Sequence, residues 1–293
     1  MFEITALTKR HMLRFLRDRS AVFTSLLSVL ILLTLYFLFI GRSYISDPSM
    51  DAFTDGFKTY LVVGVLMGGV LVVNTLSLSL GMMGNIVLDL EQDRLDAFLV
   101  TPVKRYKIIV SYFLAAILVS AVLTLVMWGL TILYVGIFAG YWYAFRTIVV
   151  TSLLVVFFTF ISCSFMILLT TVLKSVNAYG TLAGVLGTLV GFIAGIYMPL
   201  YVLGTAMTQV SSLLPFTHMT ILLRGVLLEH PYELLNTMLP PEAVASIQLF
   251  YGTNEIGLMG MNLSMFWMMV IAAVLALLSL FVSYRRMTRK VNR

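Results

Sequence analysis

The residues Asp89 to Lys107, DLEQDRLDAFLVTPVKRYK, form a charged interruption between two long apolar runs. Acidic side chains come first, the pair Thr101 and Pro102 follows, and basic side chains lead into the next apolar run. Because charged groups are costly in hydrocarbon, we expect a segment this polar to lie in water. Its apolar residues recur at near-helical spacing, which predicts a short amphipathic helix over Leu90 to Val100, lying across a membrane face. The alternative interpretation is a solvated connector.

The composition indicates an integral membrane protein. Of its 293 residues, 60% are hydrophobic and 11% are charged, which excludes an ordinary water-soluble domain. Six spans of roughly 20 residues each, with their loops, use this length as one membrane domain over 1–293. The net charge of +6 comes mostly from basic residues at the ends of apolar runs, where they set orientation. We therefore exclude nucleic acid as a partner, and the single Cys163 excludes an intrachain disulfide and a cysteine metal site.

The apolar runs predict an all-α integral membrane protein. A basic amphipathic helix at 1–20 suits the inner membrane surface, or is simply a positive-inside anchor. Spans one to five lie within 21–199, an outer re-entrant or helical segment follows at 200–263, and span six precedes a basic tail at 285–293. Lys and Arg cluster on the side of both termini, so we expect both termini to be cytoplasmic, in the cell membrane. The predicted spans are 21–40, 57–87, 108–138, 147–173, 178–199 and 264–284.

Two runs carry small or polar residues that a purely lipid-facing helix does not need. In the second, Gly64 and Gly68 allow another helix to approach closely, and Asn74 needs a partner or a wet cavity. Packing between helices is the first interpretation and cavity lining the second. The fifth span carries a stripe that predicts contact between backbones, against either a second protomer or the second span. The stripe consists of Gly180, Gly184, Gly187, Gly191 and Gly195.

The outer segments carry aromatic residues and turn signals. Tyr141, Trp142 and Tyr143 are typical of an interfacial aromatic belt. The run from Leu200 to Leu214 is too short to span, which favours a re-entrant or interfacial helix. A further helix containing Arg224 is predicted over Thr217 to Leu228, and the later prolines, Pro231, Pro240 and Pro241, predict irregular turns. His218 and His230 are expected at the surface.

The order of acidic cluster, short helix, Thr-Pro, basic residue and long span resembles the cytoplasmic loop of the type-2 ABC exporter permeases, similar to drug- and antibiotic-resistance exporters. In that family the loop forms a coupling helix that docks on an ATPase. Where the family commonly has Gly-Thr, this chain has Asp93 and Arg94. A second resemblance lies in the segment before the last span, at Leu214 to Thr217 and Arg224. The matching loop residues are Glu91, Leu95, Asp96, Leu99, Val100, Thr101, Pro102 and Arg105.

The resemblance implies a dimer of six-span protomers, homo- or heterodimeric, with two ATPase subunits bound below. It implies that the loop and the N-terminal helix couple ATP-driven closure to the spans, and that substrate passes between the second and fifth spans. The ATPase-coupling residues would be Glu91, Arg94, Leu95, Asp96, Leu99, Thr101, Pro102, Arg105, Arg10 and Arg14. The path residues would be Asn74, Thr75, Tyr179 and Tyr197, with packing or interfacial anchoring as the alternative interpretation.

The chain has no Gly-x-x-x-x-Gly-Lys-Ser/Thr loop, so we expect no enzyme activity in this chain and place ATP and magnesium in the partner ATPase. No cofactor or metal is expected here. Since the spans have no cluster of charges, an amphipathic or hydrophobic cargo is favoured: a drug, antibiotic, lipid or lipid-linked glycan. An ABC permease that exports sodium or another ion, and a membrane scaffold or sensor that transports nothing, remain the alternatives.

Overall fold

The computed structural model describes residues 2–35, 53–92, 94, 103–173, 175–195, 204–253, 256–257 and 263–290. Within these residues the chain folds into α-helices joined by short connections, with one π-helical turn, Val135–Ala139, at the end of α4. Gly140, with φ of 75°, ends that turn in the left-handed conformation. In chain order the helices are α1 (Phe2–Arg17), α2 (Arg19–Leu35), α3 (Asp55–Glu91), α4 (Arg105–Tyr134), α5 (Phe145–Val172), α6 (Val176–Ile193), α7 (Gly204–Ser212), α8 (Pro215–Met238), α9 (Pro241–Phe250) and α10 (Met265–Lys290).

Helix α3 is the centre of the molecule. Its sequence is apolar or small all round, which is typical of a helix buried on every side. It packs against α2, α4, α5, α6 and α8, and 28 of its 37 residues are buried. Thr54 caps its first turn by accepting a hydrogen bond from the N–H of Phe57 at 3.4 Å. At about 1.5 Å per residue, α3 is about 55 Å long, well beyond the hydrocarbon thickness of a bilayer.

The prediction of an all-α integral membrane protein is confirmed. Among the described residues, five helices are long and apolar enough to cross a membrane: α3, α4, α5, α6 and α10. Helix α2 covers the first predicted span from Ala21 to Leu35, and the continuation of that span to Ile40 lies outside the described residues. The described part of each predicted span therefore falls mainly on a helix, and residues 196–199 of the fifth lie outside the described residues.

The segment between α6 and α10 is more helical than its prolines suggested. Helices α7 and α8 meet at a bend of 95°, as a broken span or a re-entrant loop does. Pro231 lies inside α8, so the irregular turn predicted there is wrong. Pro240 and Pro241 instead start α9, where a missing N–H costs nothing because the first helical N–H groups have no intrahelical partner.

Two glycines of α3 let α8 lie directly against it. A Cβ at Gly68 would be 2.5 Å from Cγ of Arg224, and one at Gly64 would be 2.8 Å from Cδ2 of Leu228. Both glycines are buried. Gly64 and Gly68 therefore make a contact within the protomer, between α3 and α8.

The aromatic residues near the start of α3 form an interior cluster. The rings of Tyr60 and Tyr141 are stacked at 5.1 Å, and Tyr143 meets Tyr60 edge-on and contacts Trp128, each at 5.1 Å. Tyr143 and Trp128 are buried, whereas Trp142 is 61% exposed. The aromatic belt predicted for all three residues of the turn is thus wrong for Tyr143. We call this part of the bundle the aromatic end.

The opposite end of the bundle carries the charged residues of α1, of the end of α3 and of the start of α4. There the last turn of α3 lies beside α1, the start of α4 and the first turn of α6. We call it the basic end, after the Arg and Lys residues of α1 and α4.

Candidate functional site at the basic end

Helix α1 lies across the start of α4 and touches the end of α3. Its buried face is formed by Thr8, His11 and Phe15, at spacings of three and four residues. The Thr8 hydroxyl donates to the carbonyl of Ser111 at 3.5 Å. Lys9, Arg10 and Arg17 lie on the exposed face, so one side of α1 holds the bundle and the other offers positive charge.

Asp89 connects three helices, α1, α3 and α4, at the basic end, and we call this connection the charged junction. Its side chain is completely buried, with 0% exposure. It accepts hydrogen bonds from the Arg14 guanidinium and from the Tyr112 hydroxyl, and Nη1 of Arg94 lies 4.0 Å away. The carboxylate therefore joins α3 to both α1 and α4.

The sequence predicted that Asp89 lies in water, and this expectation is wrong. Helix α3 runs through Asp89, Leu90 and Glu91 instead of ending at Val87. The first residues of the surface helix predicted over Leu90 to Val100 therefore belong to α3, and residues 95–100 lie outside the described residues. One signal was available: Ile86, Val87 and Leu90 surround Asp89 and continue the apolar pattern of the span.

A buried carboxylate is stable only while its partners remain. Removing one partner from a buried ion pair costs about 3–5 kcal/mol, mostly from the charge left unpaired. Arg14 is itself only 23% exposed, so solvent does little to screen the pair. The Arg14–Asp89 contact thus makes the position of α1 relative to α3 specific.

His11 lies flat on Tyr112, with ring centroids 3.6 Å apart. Its imidazole is 1% exposed, and within the described residues neither ring nitrogen has a hydrogen-bond partner. Burial, followed by the charge of Arg10, lowers the pKa of His11 from 6.5 to about 4. The ring is neutral at pH 7 and serves as an aromatic packing surface.

A second ion pair ties the start of α1 to α4. Lys107 donates to the carboxylate of Glu3. This hydrogen bond is the main cause that lowers the pKa of Glu3. Together with Arg14, it fixes α1 at two places along its length.

Glu91 contacts a helix instead of standing free in the loop. Its Oε2 accepts a hydrogen bond from the backbone N–H of Val176 at 2.8 Å, and Val176 is the first residue of α6. Arg94 is half exposed and Arg105 begins α4. The other predicted coupling residues, Leu95, Asp96, Leu99, Thr101 and Pro102, lie outside the described residues.

The two predicted path residues of α3 are enclosed in the protomer. Nδ2 of Asn74 donates to the hydroxyl of Thr124 at 3.1 Å, and the Thr75 hydroxyl shares a hydrogen bond of 3.1 Å with Ser162. Both Asn74 and Thr75 have 0% exposure. These contacts with α4 and α5 favour packing, the alternative interpretation of these residues.

Tyr179 of α6 also faces inward. Its hydroxyl donates to the carbonyl of Leu80 at 2.6 Å, and its ring covers Gly84. The remaining predicted path residue, Tyr197, lies outside the described residues.

The glycine stripe of α6 divides into two parts. A Cβ at Gly180, Gly184 or Gly187 would meet nothing within 4 Å, so these three do not pack on α3. Gly191 and Gly195 are buried. Asn177, Thr181 and Thr188 are exposed and continue the open face that begins at Gly180, so small and polar residues share it.

The sequence singled out Arg224 only through the family resemblance and did not predict the contacts that it makes. It is 5% exposed, and its Nε and Nη2 donate to the carbonyls of Val65 at 3.0 Å and Gly195 at 2.9 Å. It joins α8 to α3 and to the end of α6. His218, six residues earlier in α8, is also buried and bonds to the carbonyl of Ser212 at 2.8 Å, so its predicted surface position is wrong.

This helical bundle, with a charged junction at one end and five or six helices fit to cross a bilayer, defines a multi-pass membrane protein. The model of the ABC-2 type transporter family matches residues 2–228. The chain belongs to this family and is a permease subunit of an ABC transporter, which implies a complex with an ATPase partner. The match contains Arg14, Asp89 and Arg224. No curated protein matches the chain.

Proposed function

We propose that this chain is the permease of an ATP-driven exporter, which moves an amphipathic or hydrophobic substrate out of the cytoplasm or the inner leaflet. Drugs, antibiotics, lipids and lipid-linked glycans are the substrate class. The observation that carries the proposal is the buried Asp89, which joins α1, α3 and α4 where the charged stretch leaves α3. A junction fixed in this way transmits a displacement to the central helix.

In this proposal the basic end faces the cytoplasm and binds two ATPase subunits, which hold ATP and magnesium. Their closure pushes on the stretch from Asp89 to Lys107 and on the exposed basic face of α1. Because α3 is buried against five other helices, a shift of its end repacks the bundle between two discrete arrangements. Alternating access to the two sides of the membrane follows.

The substrate path runs along the open face of α6 in a dimer of protomers. Asn177, Thr181 and Thr188 lie exposed beside Gly180, Gly184 and Gly187. The hydroxyls of Thr181 and Thr188 donate to carbonyls of α6 itself, at 3.0 Å and 3.1 Å. The amide of Asn177 is better placed against a partner protomer or a solvated path than against lipid. Asn74 and Thr75 support the protomer from inside.

The buried charged side chains are paired within the protein, which favours an apolar cargo over an ion. Among the described residues, three charged side chains are buried: Lys58, Asp89 and Arg224. Asp89 and Arg224 are held by protein groups, and Lys58 lies 4.0 Å from Asp55 at the aromatic end. None of the three offers a free carboxylate to a passing cation.

Reconstitution into vesicles tests the proposal. The chain with its ATPase should move a fluorescent amphipathic drug or lipid analogue only when ATP is present, and the chain alone should not. A tagged chain should also retain the ATPase on purification. Transport without any ATPase would overturn the proposal, sodium movement would favour the ion exporter, and a retained partner without ATPase activity would favour a scaffold.

A further inference from the structure

We infer that Glu91 is a positioning residue, which clamps the first turn of α6 to the end of α3, so that α6 is the helix driven by the coupling stretch. The inference rests on the proposed function and changes the role of Glu91 from binding the ATPase to moving a helix. Three sets of contacts carry it.

The first contact is made by the carboxylate. The first four N–H groups of a helix have no intrahelical partner, and the helix dipole makes this end positive. Oε2 of Glu91 accepts from the N–H of Val176 at 2.8 Å, and the hydroxyl of Ser175 accepts from the N–H of Ala178 at 3.2 Å. The end of α3 thus supplies half of the cap of α6.

The second contact lies one turn further along α6. The Tyr179 hydroxyl donates to the carbonyl of Leu80, a group already within α3. A Cβ at Gly84 would be 3.1 Å from the Tyr179 ring, so this glycine makes room for the ring. Glu91 and Tyr179 together hold the start of α6 at two points of the same helix.

The third contact is at the other end of α6. Gly195, just past the helix, has its carbonyl bonded to Arg224 of α8. Between the two ends, the face with Gly180, Gly184 and Gly187 meets nothing within 4 Å. A helix held at its ends and open along one face tilts when one end is displaced. Glu91 is the last residue of α3, where the charged stretch begins, so a push on that stretch displaces the start of α6 first.

The test uses the complex of this chain with its ATPase and a single reporter, Thr188→Cys, on the open face of α6. The native Cys163 is completely buried and stays unlabelled. The rate of maleimide labelling is measured with and without ATP. We expect ATP to change the rate in the native background. Glu91→Ala should reduce this change roughly fivefold, the effect of losing a helix cap of typical strength.

Two further variants separate positioning from docking and from misfolding. Glu91→Gln keeps an acceptor oxygen and should restore part of the ATP-dependent change. Glu242→Ala removes an exposed carboxylate from the first turn of α9 and should leave the change intact. All variants should retain the ATPase on purification.

Each contrary outcome has one meaning. Loss of ATPase co-purification in Glu91→Ala makes Glu91 a docking residue and overturns this inference, while the proposed function stands. A full ATP response in Glu91→Ala, or none in the native background, also overturns the inference. If no ATPase is retained by the native chain, both the inference and the proposed function fail.

Discussion

The guanidinium of Arg14 donates to the completely buried carboxylate of Asp89, 75 positions away in the chain. The contact brings together an amphipathic helix and the end of a fully enclosed span. It places the charged junction inside the bundle, where solvent does not screen it. Its strength can be measured.

Arg14→Ala should destabilise the protein by about 3–5 kcal/mol, because it leaves the Asp89 carboxylate buried without its cation. The double variant Arg14→Met with Asp89→Leu should recover much of this loss, since both charges are then absent. Tyr112→Phe, which removes a single hydrogen bond to a charged group, should cost about 1.5–3 kcal/mol. Denaturant unfolding of the purified protein in detergent provides the measurement. A loss below about 1 kcal/mol for Arg14→Ala would contradict the structure of the junction.

His11 makes the attachment of α1 sensitive to acid. Its pKa is lowered from 6.5 to about 4. Between pH 4 and pH 6.5 the imidazole therefore binds a proton more readily in the unfolded chain than in the folded protein. Stability is therefore unaffected by His11 above pH 6.5 and falls as the pH drops toward 4, by up to about 3 kcal/mol. The groups beside the ring are Arg10, Arg14 and Asp89.

His11→Phe keeps a flat ring on Tyr112 and should flatten this pH dependence. Thermal unfolding at pH 4.5 and pH 7.5 measures the difference. His230→Phe, at the aromatic end where the ring is exposed, serves as the control and should leave it unchanged. An unaltered pH profile in His11→Phe would show that another group causes the acid loss.

Gly68→Ala should destabilise the protein by about 1–3 kcal/mol, because the new Cβ would lie 2.5 Å from Cγ and 3.0 Å from the backbone N of Arg224. Gly225→Ala is the matched control. This glycine is next to Arg224 in α8, but a Cβ there meets nothing within 4 Å, so the change should be neutral or stabilise by about 1 kcal/mol. Equal effects of the two substitutions would rule out the close approach of α8 to α3.

Arg224→Lys should cost about 2 kcal/mol, because a lysine cannot reproduce the fork that reaches both Val65 and Gly195. The control is Arg146→Lys, in an exposed pair with Glu229 at 2.8 Å, which should change stability by less than about 0.5 kcal/mol. Both are measured by thermal unfolding in detergent. If lysine at 224 is tolerated as well as lysine at 146, the bridge is not a stabilising contact.

Gly184→Leu should weaken the proposed dimer about tenfold or more, since an overpacked contact costs about 1–3 kcal/mol. Gly129→Leu introduces the same side chain at an open position of α4 and should not affect association. Chemical crosslinking in native membranes reports the dimer fraction. A dimer that survives Gly184→Leu would mean that another surface joins the protomers.

The sequence by itself determined the membrane class, five of the predicted spans and the separation of the helices α7 and α8. These features follow from the length of apolar runs and from the requirement that backbone groups in lipid bond within their own helix. The order of motifs also indicated the ABC permease family before any contact was known. Local patterns sufficed for this because each span is a helix regardless of its neighbours.

Only the tertiary structure decided which way the polar residues face. Asp89 was expected in water and lies buried, since Arg14 from a distant helix neutralises it. The sequence left Asn74 either on a path or in a packing contact, and the structure shows that it bonds within the protomer, since Thr124 supplies a partner. A hydrophobic pattern identifies a span but not the neighbour of each of its faces. That neighbour comes from residues remote in the chain, and it determines whether a charge is exposed, paired or part of a junction.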